Sequence, residues 1–161
     1  MVVSDIAGLQ PGSACLSLIT NEQGNILDDT VLTQYHDYTY MVVNGATKHA
    51  DMAHFAKYMD KYDVEMEYLE DGMQLLALQG PQAMEVLAPL VSLDLEKMQF
   101  MGGTEATIAG IDDCRVTRCG YTGEDGFELA VPFERTVELA DCLMDNDAVQ
   151  PAGLGARDSL R

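Results

Sequence analysis

The stretch RCGYTGEDGFEL, from Arg118 to Leu129, constrains the fold more than any other part of the chain. Between Gly120 and Glu128 lie three glycines, one tyrosine and three carboxylates. Neither a helix nor a strand interior favours so many glycines, because glycine loses more conformational freedom on folding than any other residue. Phe127 and Leu129 then alternate with Glu128, which is typical of a strand. We therefore predict a loop that leads directly into a strand.

Short apolar patterns separated by turn signals occupy the rest of the chain. Period-two alternation or short apolar runs predict strands near residues 30–34, 38–43, 64–68, 74–80, 104–108, 113–118 and 127–131, of which 74–80 is expected to be fully buried. Helical spacing predicts helices at 48–62, after Pro81, and at 137–144, and a fourth that begins within 153–161. No nucleotide-binding βαβ repeat is present. The pattern indicates an α+β fold of antiparallel sheets with flanking helices.

Charge limits the partners that the chain can have. Nine Lys and Arg residues stand against 27 Asp and Glu residues, which gives a net charge of −18. Such a charge repels nucleic acid and anionic membranes, so neither is expected as a partner. A solvated acidic surface, docking to a basic partner and adaptation to salt are all compatible with it. No apolar run approaches the ~20 residues that a membrane span needs.

Cysteine and histidine spacing does not favour a metal site. The four cysteines, at positions 15, 114, 119 and 142, show no CxxC pair, so unpaired buried thiols are expected. His49 and His54 are five residues apart and do not share a helix face, and His36 lies on a turn between strands. No metal is predicted.

Two adjacent carboxylates, Asp28 and Asp29, follow a tight turn at Gly24 and open an apolar strand. Neighbours in a strand face opposite sides, so one carboxylate faces solvent and the other can point into a cleft. There it could steer a cationic amine or act as a general base. The alternative is a polar strand entry with a turn-capping aspartate. Asn44 ends the strand MVVN, and a helix N-cap is the alternative to a binding role.

The glycine-rich stretch offers a second group of candidates. Glu128 can accept two parallel N–H donors, and Tyr121 supplies a flat ring and a hydroxyl. The alternative is a glycine-rich hairpin with solvated acids. In GLGARDSLR, Arg157 can grip a planar or carboxylate ligand. The alternative there is a plain ion pair between Asp158 and Arg161.

Four motifs in one order, TNEQGNILDD, MVVN, LLALQGP and RCGYTGEDGFEL followed by GLGARDSLR, resemble the glycine cleavage T-protein, a folate-dependent aminomethyltransferase. The resemblance covers essentially the whole chain. It implies that Glu128 holds the pterin edge of folate, that Tyr121 and Arg157 line the same cavity, and that Asn44 contacts folate from the sheet side. All of these side chains are expected to converge on one cavity with Asp29.

The same resemblance assigns the chemical step. Asp29 matches the family's key acidic residue beside the reacting nitrogen, while Asp28, Gly120 and Gly123 are supporting residues. The implied reaction moves a one-carbon unit from the aminomethyl-lipoyl arm of the H-protein to tetrahydrofolate, with release of ammonia. Tetrahydrofolate is thus a substrate, and lipoylated H-protein is the expected partner. A non-catalytic or degenerate folate-binding fragment without turnover is the alternative.

The resemblance also carries expectations about organisation. T-proteins are longer than this chain, which implies truncation at both ends. Residues 1–95 are expected to be part of a first folate-binding subdomain that lacks its N-terminal flank. Residues 96–161 would form a second subdomain with the GYTGEDGFE and GARD motifs, without the C-terminal barrel domain. The expected location is the mitochondrial matrix in a eukaryote or the cytoplasm in a bacterium, and no targeting segment is present in this sequence.

Overall fold

Two antiparallel sheets, one in each half of the chain, organise the fold. The computed structural model describes residues 1–160 and divides into an N-terminal unit, Met1–Tyr68, and a C-terminal unit from Leu69 onward. Every strand pair in both sheets is antiparallel, and helices flank the sheets. The predicted α+β class is confirmed. None of the helices within residues 1–160 combines the length and the hydropathy that a membrane crossing requires.

The N-terminal unit carries a three-stranded sheet and one long helix. Its elements are β1 (Ala14–Thr20), β2 (Ile26–Gln34), β3 (Thr39–Val42) and α1 (Lys48–Met59), with the strands in the order β1-β2-β3. The turn between β1 and β2 places Gly24 at φ +79°, and the side chain of Asn21 accepts hydrogen bonds from the backbone of Gln23 and Asn25. Ile19 of β1, Leu32 of β2 and Phe55 of α1 are buried.

The C-terminal unit carries the second sheet. Its elements are β4 (Met73–Gln79), α2 (Ala83–Leu87), a 3-10 turn (Ala88–Leu90), β5 (Gly102–Ile108), β6 (Ile111–Arg118), β7 (Gly126–Pro132), a second 3-10 turn (Phe133–Arg135), α3 (Thr136–Met144) and α4 (Leu154–Leu160). The strand order is β4-β7-β6-β5. Phe127, Leu129 and Val131 of the central strand β7 pack with Leu139 and Leu143 of α3 in one hydrophobic core.

Two sequence predictions about local structure are wrong, and one strand was missed. Residues 64–68 form no strand, and Val64, Met66 and Tyr68 are exposed despite their alternation with acids. Strand β1 was not predicted, because its seven residues mix a buried serine with an exposed leucine. The strand in QLLALQG is not fully buried: β4 lies at an edge of its sheet, and Leu75 is exposed.

The chain divides into compact units between Tyr68 and Leu69, and the subdomain boundary expected between residues 95 and 96 stays a prediction. The proposed boundary between residues 95 and 96 falls inside the C-terminal unit, because β4 pairs with β7 across it. The Arg118 guanidinium also donates to the carbonyls of Leu95 and Met98, at 2.9 and 2.7 Å.

The four cysteines are free; Cys114 and Cys119 are buried as expected, whereas Cys15 and Cys142 are only half-buried.

Candidate functional site

The aspartate pair lies in β2 beside the start of α1. Asp28 and Asp29 stand opposite Ile19 and Leu18 of β1. Both carboxylates nevertheless reach the same amide, since Asn44 Nδ2 lies 2.9 Å from Asp28 Oδ1 and 2.7 Å from Asp29 Oδ1. The expectation that one aspartate faces solvent while the other faces a cleft therefore does not describe this pair.

Asn44 is a linker between the carboxylates and not a helix cap. Thr47 is the N-cap of α1, and the side-chain amide of Asn44 goes to the two aspartates instead. The same Nδ2 also lies 3.3 Å from the backbone carbonyl of Asp29. The amide thus fixes both the main chain and the side chain of this strand position. The structure brings together three of the predicted site residues here.

Asp28 is the most hydrogen-bonded member of this group. It accepts from the hydroxyl of Thr47, from the amide of Asn44 and from the backbone N–H of Asp29, the last at 2.9 Å. Burial by itself would raise the pKa of Asp28, but these three hydrogen bonds and one with Asp51 outweigh burial and hold the pKa below its usual value. Asp28 is therefore an ionised anchor for the residues around it.

Asp51 is a further member that the sequence reasoning missed. It lies one helical turn after Thr47 and is 2% exposed, with its carboxyl within hydrogen-bonding reach of Asp28. Burial is the largest cause that raises the pKa of Asp51. The hydrogen bond with Asp28 and the negative charge of Asp28 raise it further. A usable signal existed, because an Asp four residues after a helix N-cap shares a face with it.

Glu128 lies in the middle of the second sheet. Glu128 of β7 stands opposite Ala77 of β4 on one side and Thr117 of β6 on the other. Phe127 and Leu129 point into the core, and Glu128 is half-buried on the opposite face. Burial raises the pKa of Glu128, and the Cys119 thiol and the positive charge of Arg157 offset this only in part.

Tyr121 and Arg157 accompany this carboxylate. The Arg157 guanidinium of α4 lies over the Tyr121 ring at 4.5 Å from its centroid, a cation–π contact. The same guanidinium acts electrostatically on Glu128. The structure therefore groups the three predicted residues of the C-terminal unit. The alternative partner of Asp158, Arg161, lies outside the described residues.

Gly120 and Gly126, at the two ends of the glycine-rich loop, leave space for the side chain of Gln79. A Cβ at Gly120 or Gly126 would overlap the side-chain carboxamide of Gln79, the last residue of β4. That amide donates from Nε2 to the carbonyls of Cys119 and Phe127, at 3.0 and 3.3 Å. Gly123, by contrast, has open space around it and is needed for its φ of +80°. Gln79 belongs to the motif LLALQGP, but its role was not predicted.

Arg118 and Asp125 close the base of the loop. Their bidentate pair has both N–O distances at 2.8 Å, and the Asp125 carboxylate also accepts the backbone N–H of Gly126. The hydrogen bond with Arg118 lowers the pKa of Asp125. The glycine-rich stretch is therefore a loop whose two ends are joined by an ion pair, and Tyr121 lies within it.

Two groups of the predicted residues are thus defined, one in each unit. Asp28, Asp29 and Asn44 belong to the N-terminal unit, and Tyr121, Glu128 and Arg157 to the C-terminal unit. That all of them line one cavity stays a prediction. A concavity of about 800 Å³ lies at the far end of the second sheet, near Met73 and Asp112, and contains none of these residues. Within residues 1–160 no cluster of three or more His, Cys, Asp or Glu side chains is arranged to hold a metal ion.

Similarity to characterised proteins covers the whole chain. The model of the GCVT N-terminal domain matches residues 1–161. The chain is 44% identical to "Aminomethyltransferase, mitochondrial" of Dictyostelium discoideum and 45% identical to the human protein of that name, over 100% of the chain but only 43% and 41% of those proteins. The crystal structure of glycine cleavage system aminomethyltransferase T from Bartonella henselae superposes with a TM-score of 0.88 at 40% identity, and 99% of this chain covers 43% of that one. The chain therefore spans less than half the length of these relatives, and it belongs to the GCVT N-terminal domain family.

Proposed function

We propose that this chain is the tetrahydrofolate-binding part of a glycine cleavage aminomethyltransferase. The observation that carries the proposal is the half-buried carboxylate of Glu128, held between the Cys119 thiol and the Arg157–Tyr121 pair. A half-buried acceptor beside an aromatic ring suits a flat ligand with parallel N–H donors. The relatives named aminomethyltransferase, and the family itself, support the same reading.

Glu128 binds the pterin edge in this proposal. The amidine-like edge of a pterin presents two N–H donors, and an ionised carboxylate accepts both. Burial disfavours the negative charge of Glu128. Hydrogen bonds from the ligand that stabilise this charge are therefore stronger than they would be in water. Tyr121 contacts the flat ring of the ligand, and Arg157 contacts its charged portion. Cys119 takes no part as a nucleophile, because burial and then the charge of Glu128 raise its pKa to about 12.

Asp29 serves the reacting nitrogen of folate. That nitrogen attacks the carbon held between sulfur and nitrogen on the aminomethyl-lipoyl arm, and positive charge develops as it does so. An oriented carboxylate stabilises this charge without reorganising. The products are 5,10-methylene-tetrahydrofolate, ammonia and the dihydrolipoyl arm. Binding both substrates together supplies the proximity that the reaction needs.

We also propose a protein partner and a cellular location. Lipoylated H-protein delivers the aminomethyl group, and the mitochondrial matrix is the proposed location if the chain is eukaryotic, since the relatives from Dictyostelium and human are named mitochondrial. In a bacterium the proposed location is the cytoplasm.

Titration calorimetry with tetrahydrofolate is the direct test. We expect saturable one-to-one binding to the 161-residue chain, because the Glu128 group lies entirely within its C-terminal unit. p-Aminobenzoylglutamate, which lacks the pterin, should not compete. Turnover is then measured as methylene-tetrahydrofolate formed from aminomethylated, lipoylated H-protein, with unlipoylated H-protein as the blank. A chain that gives no heat with tetrahydrofolate and forms no product would refute the proposal.

A further inference from the structure

Asp51 is an unusual carboxyl group. It is 2% exposed, and no donor reaches its Oδ2 among the described residues. The charged and polar groups that face it are Asp28, Thr47 and His54. A carboxylate buried in this way, next to a second carboxylate, is unfavourable because both charges repel and neither is fully solvated.

One proton shared between the two carboxyl groups resolves this conflict. The donors are distributed unequally: Asp28 accepts from Thr47, Asn44 and the backbone of Asp29, whereas for Asp51 the hydroxyl of Thr47 is the one donor that favours its charged form, and its Oδ2 has no partner among the described residues. This distribution favours the negative charge on Asp28 and the proton on Asp51. Burial also raises the pKa of Asp51, which favours a proton on Asp51 as well. A hydrogen bond from a carboxylic acid to a carboxylate is short and strong.

A continuous path of hydrogen bonds leads from Asp28 to Asp29. Asn44 Nδ2 contacts Asp28 Oδ1 at 2.9 Å and Asp29 Oδ1 at 2.7 Å, so the position of Asp28 fixes the amide, and the amide fixes Asp29. We propose that Asp51 is a positioning residue, a buried carboxylic acid that donates to Asp28 and through Asn44 holds the carboxylate of Asp29 in one orientation. Its effect on turnover rests on the proposed function of Asp29, whereas its protonation does not.

Infrared spectroscopy tests the proton directly. We expect the wild-type chain at neutral pH to show the carbonyl stretch of a protonated carboxylic acid, and Asp51→Asn to lose it. Asp60→Asn, which changes an exposed aspartate just after the same helix, is the matched control and should keep the band. Absence of the band in the wild type would overturn the proposal whether or not the chain binds folate.

Kinetics test the positioning role. An Asn at position 51 still donates to Asp28, so Asp51→Asn should rescue turnover to within about threefold of wild type. Asp51→Ala removes the donor and should lower turnover about tenfold, with the tetrahydrofolate dissociation constant unchanged, because a misaligned electrostatic group loses its effect in the transition state. Unchanged turnover in Asp51→Ala would overturn the positioning role.

Two further outcomes remain informative. If Asp51→Ala does not fold, Asp51→Asn decides, because a folded Asp51→Asn with a large loss of turnover would contradict the proposal. If the wild type itself neither binds folate nor turns over, the proposed function fails, and the infrared band still reports whether Asp51 carries the proton.

Discussion

Asp28 and Asp29 are neighbours in one strand but differ in what they can still bind. Asp28 accepts three hydrogen bonds from within the unit, from Thr47, Asn44 and the backbone of Asp29. Within residues 1–160, the Asp29 carboxylate receives a side-chain donor from Asn44 alone. Asp28 is consequently saturated by the protein, whereas Asp29 keeps acceptor capacity for a substrate. This difference supports the assignment of the chemical role to Asp29 and the supporting role to Asp28.

Glu128→Gln and Asp29→Asn should fail in different ways. Glu128→Gln turns one acceptor oxygen into a donor that faces the pterin donors, so tetrahydrofolate binding should weaken by roughly 2–4 kcal/mol. Asp29→Asn should leave the dissociation constant almost unchanged and lower turnover about a hundredfold or more, since one preorganised charge is lost. Calorimetry gives the first quantity, and methylene-tetrahydrofolate formation with lipoylated H-protein gives the second.

Glu124→Gln is the matched control for Glu128→Gln. It removes the same charge from an exposed position of the same loop and should change neither quantity. The opposite pattern, in which Asp29→Asn loses binding and Glu128→Gln loses only turnover, would invert the two roles. Wild-type behaviour of both variants would make the two residues structural.

At the scale of elements, the glycine-rich loop is fixed to the neighbouring strand. Gln79 at the end of β4 binds two carbonyls that flank the loop, those of Cys119 and Phe127. The Arg118–Asp125 pair closes the loop from its other side. The glycines therefore serve close packing more than mobility. A loop held in this way keeps Tyr121 and Glu128 in a constant arrangement, which favours binding because little ordering is left to occur.

Gly126→Ala should destabilise the protein through its contact with Gln79. The new Cβ would overlap the Gln79 carboxamide, which must then move away from its two carbonyl partners, and this costs about 1–3 kcal/mol of unfolding free energy. Gln79→Ala loses the two hydrogen bonds to carbonyls and should cost about 1–2 kcal/mol. The double variant should be more stable than the sum of the two losses predicts, because the clash is gone. Urea unfolding of all three variants measures the coupling.

Gly153→Ala is the control for the glycine substitution. A Cβ at Gly153 has no neighbour within 4 Å, and its φ is not in the left-handed region, so little effect is expected. Strict additivity of Gly126→Ala and Gln79→Ala would show that the two side chains do not compete for the same space.

Sequence patterns predicted the elements whose signal is local and missed those decided by packing. The loop before β7 and the alternation around Glu128 follow from residue types within a few positions. Residues 64–68 alternate equally well but have no pairing strand, which no local pattern reveals. In the site, Gln79 was missed for the same reason, because its partners lie 40 and 48 residues away in the sequence. The spacing from Thr47 identifies the helix face of Asp51, but Asp28 lies 23 residues away from it in the sequence.

At the scale of the whole molecule, the net charge is the dominant feature. The N-terminal and C-terminal units share 27 Asp and Glu residues against 9 Lys and Arg residues. With three times as many acids as cations, most acids lack a cation of their own. Among the described residues, Arg118, Arg135 and Lys97 form close ion pairs with acids. The excess of negative charge is self-repulsive, and this repulsion opposes the compact state.

Added salt should therefore stabilise the protein. Monovalent salt shortens the screening length to about 10 Å at 0.1 M, which weakens repulsion between exposed carboxylates. We expect Tm, measured by circular dichroism at pH 7, to rise as sodium chloride is increased from about 0.01 to 0.3 M. A triple variant, Asp63→Asn, Glu65→Gln and Glu67→Gln, removes three exposed negative charges and should be more stable at low salt, with a smaller rise in Tm. Lys57→Gln, which removes an exposed positive charge, should change the salt dependence in the opposite sense. Equal salt dependence in all three proteins would mean that salt acts through hydration and not through charge repulsion.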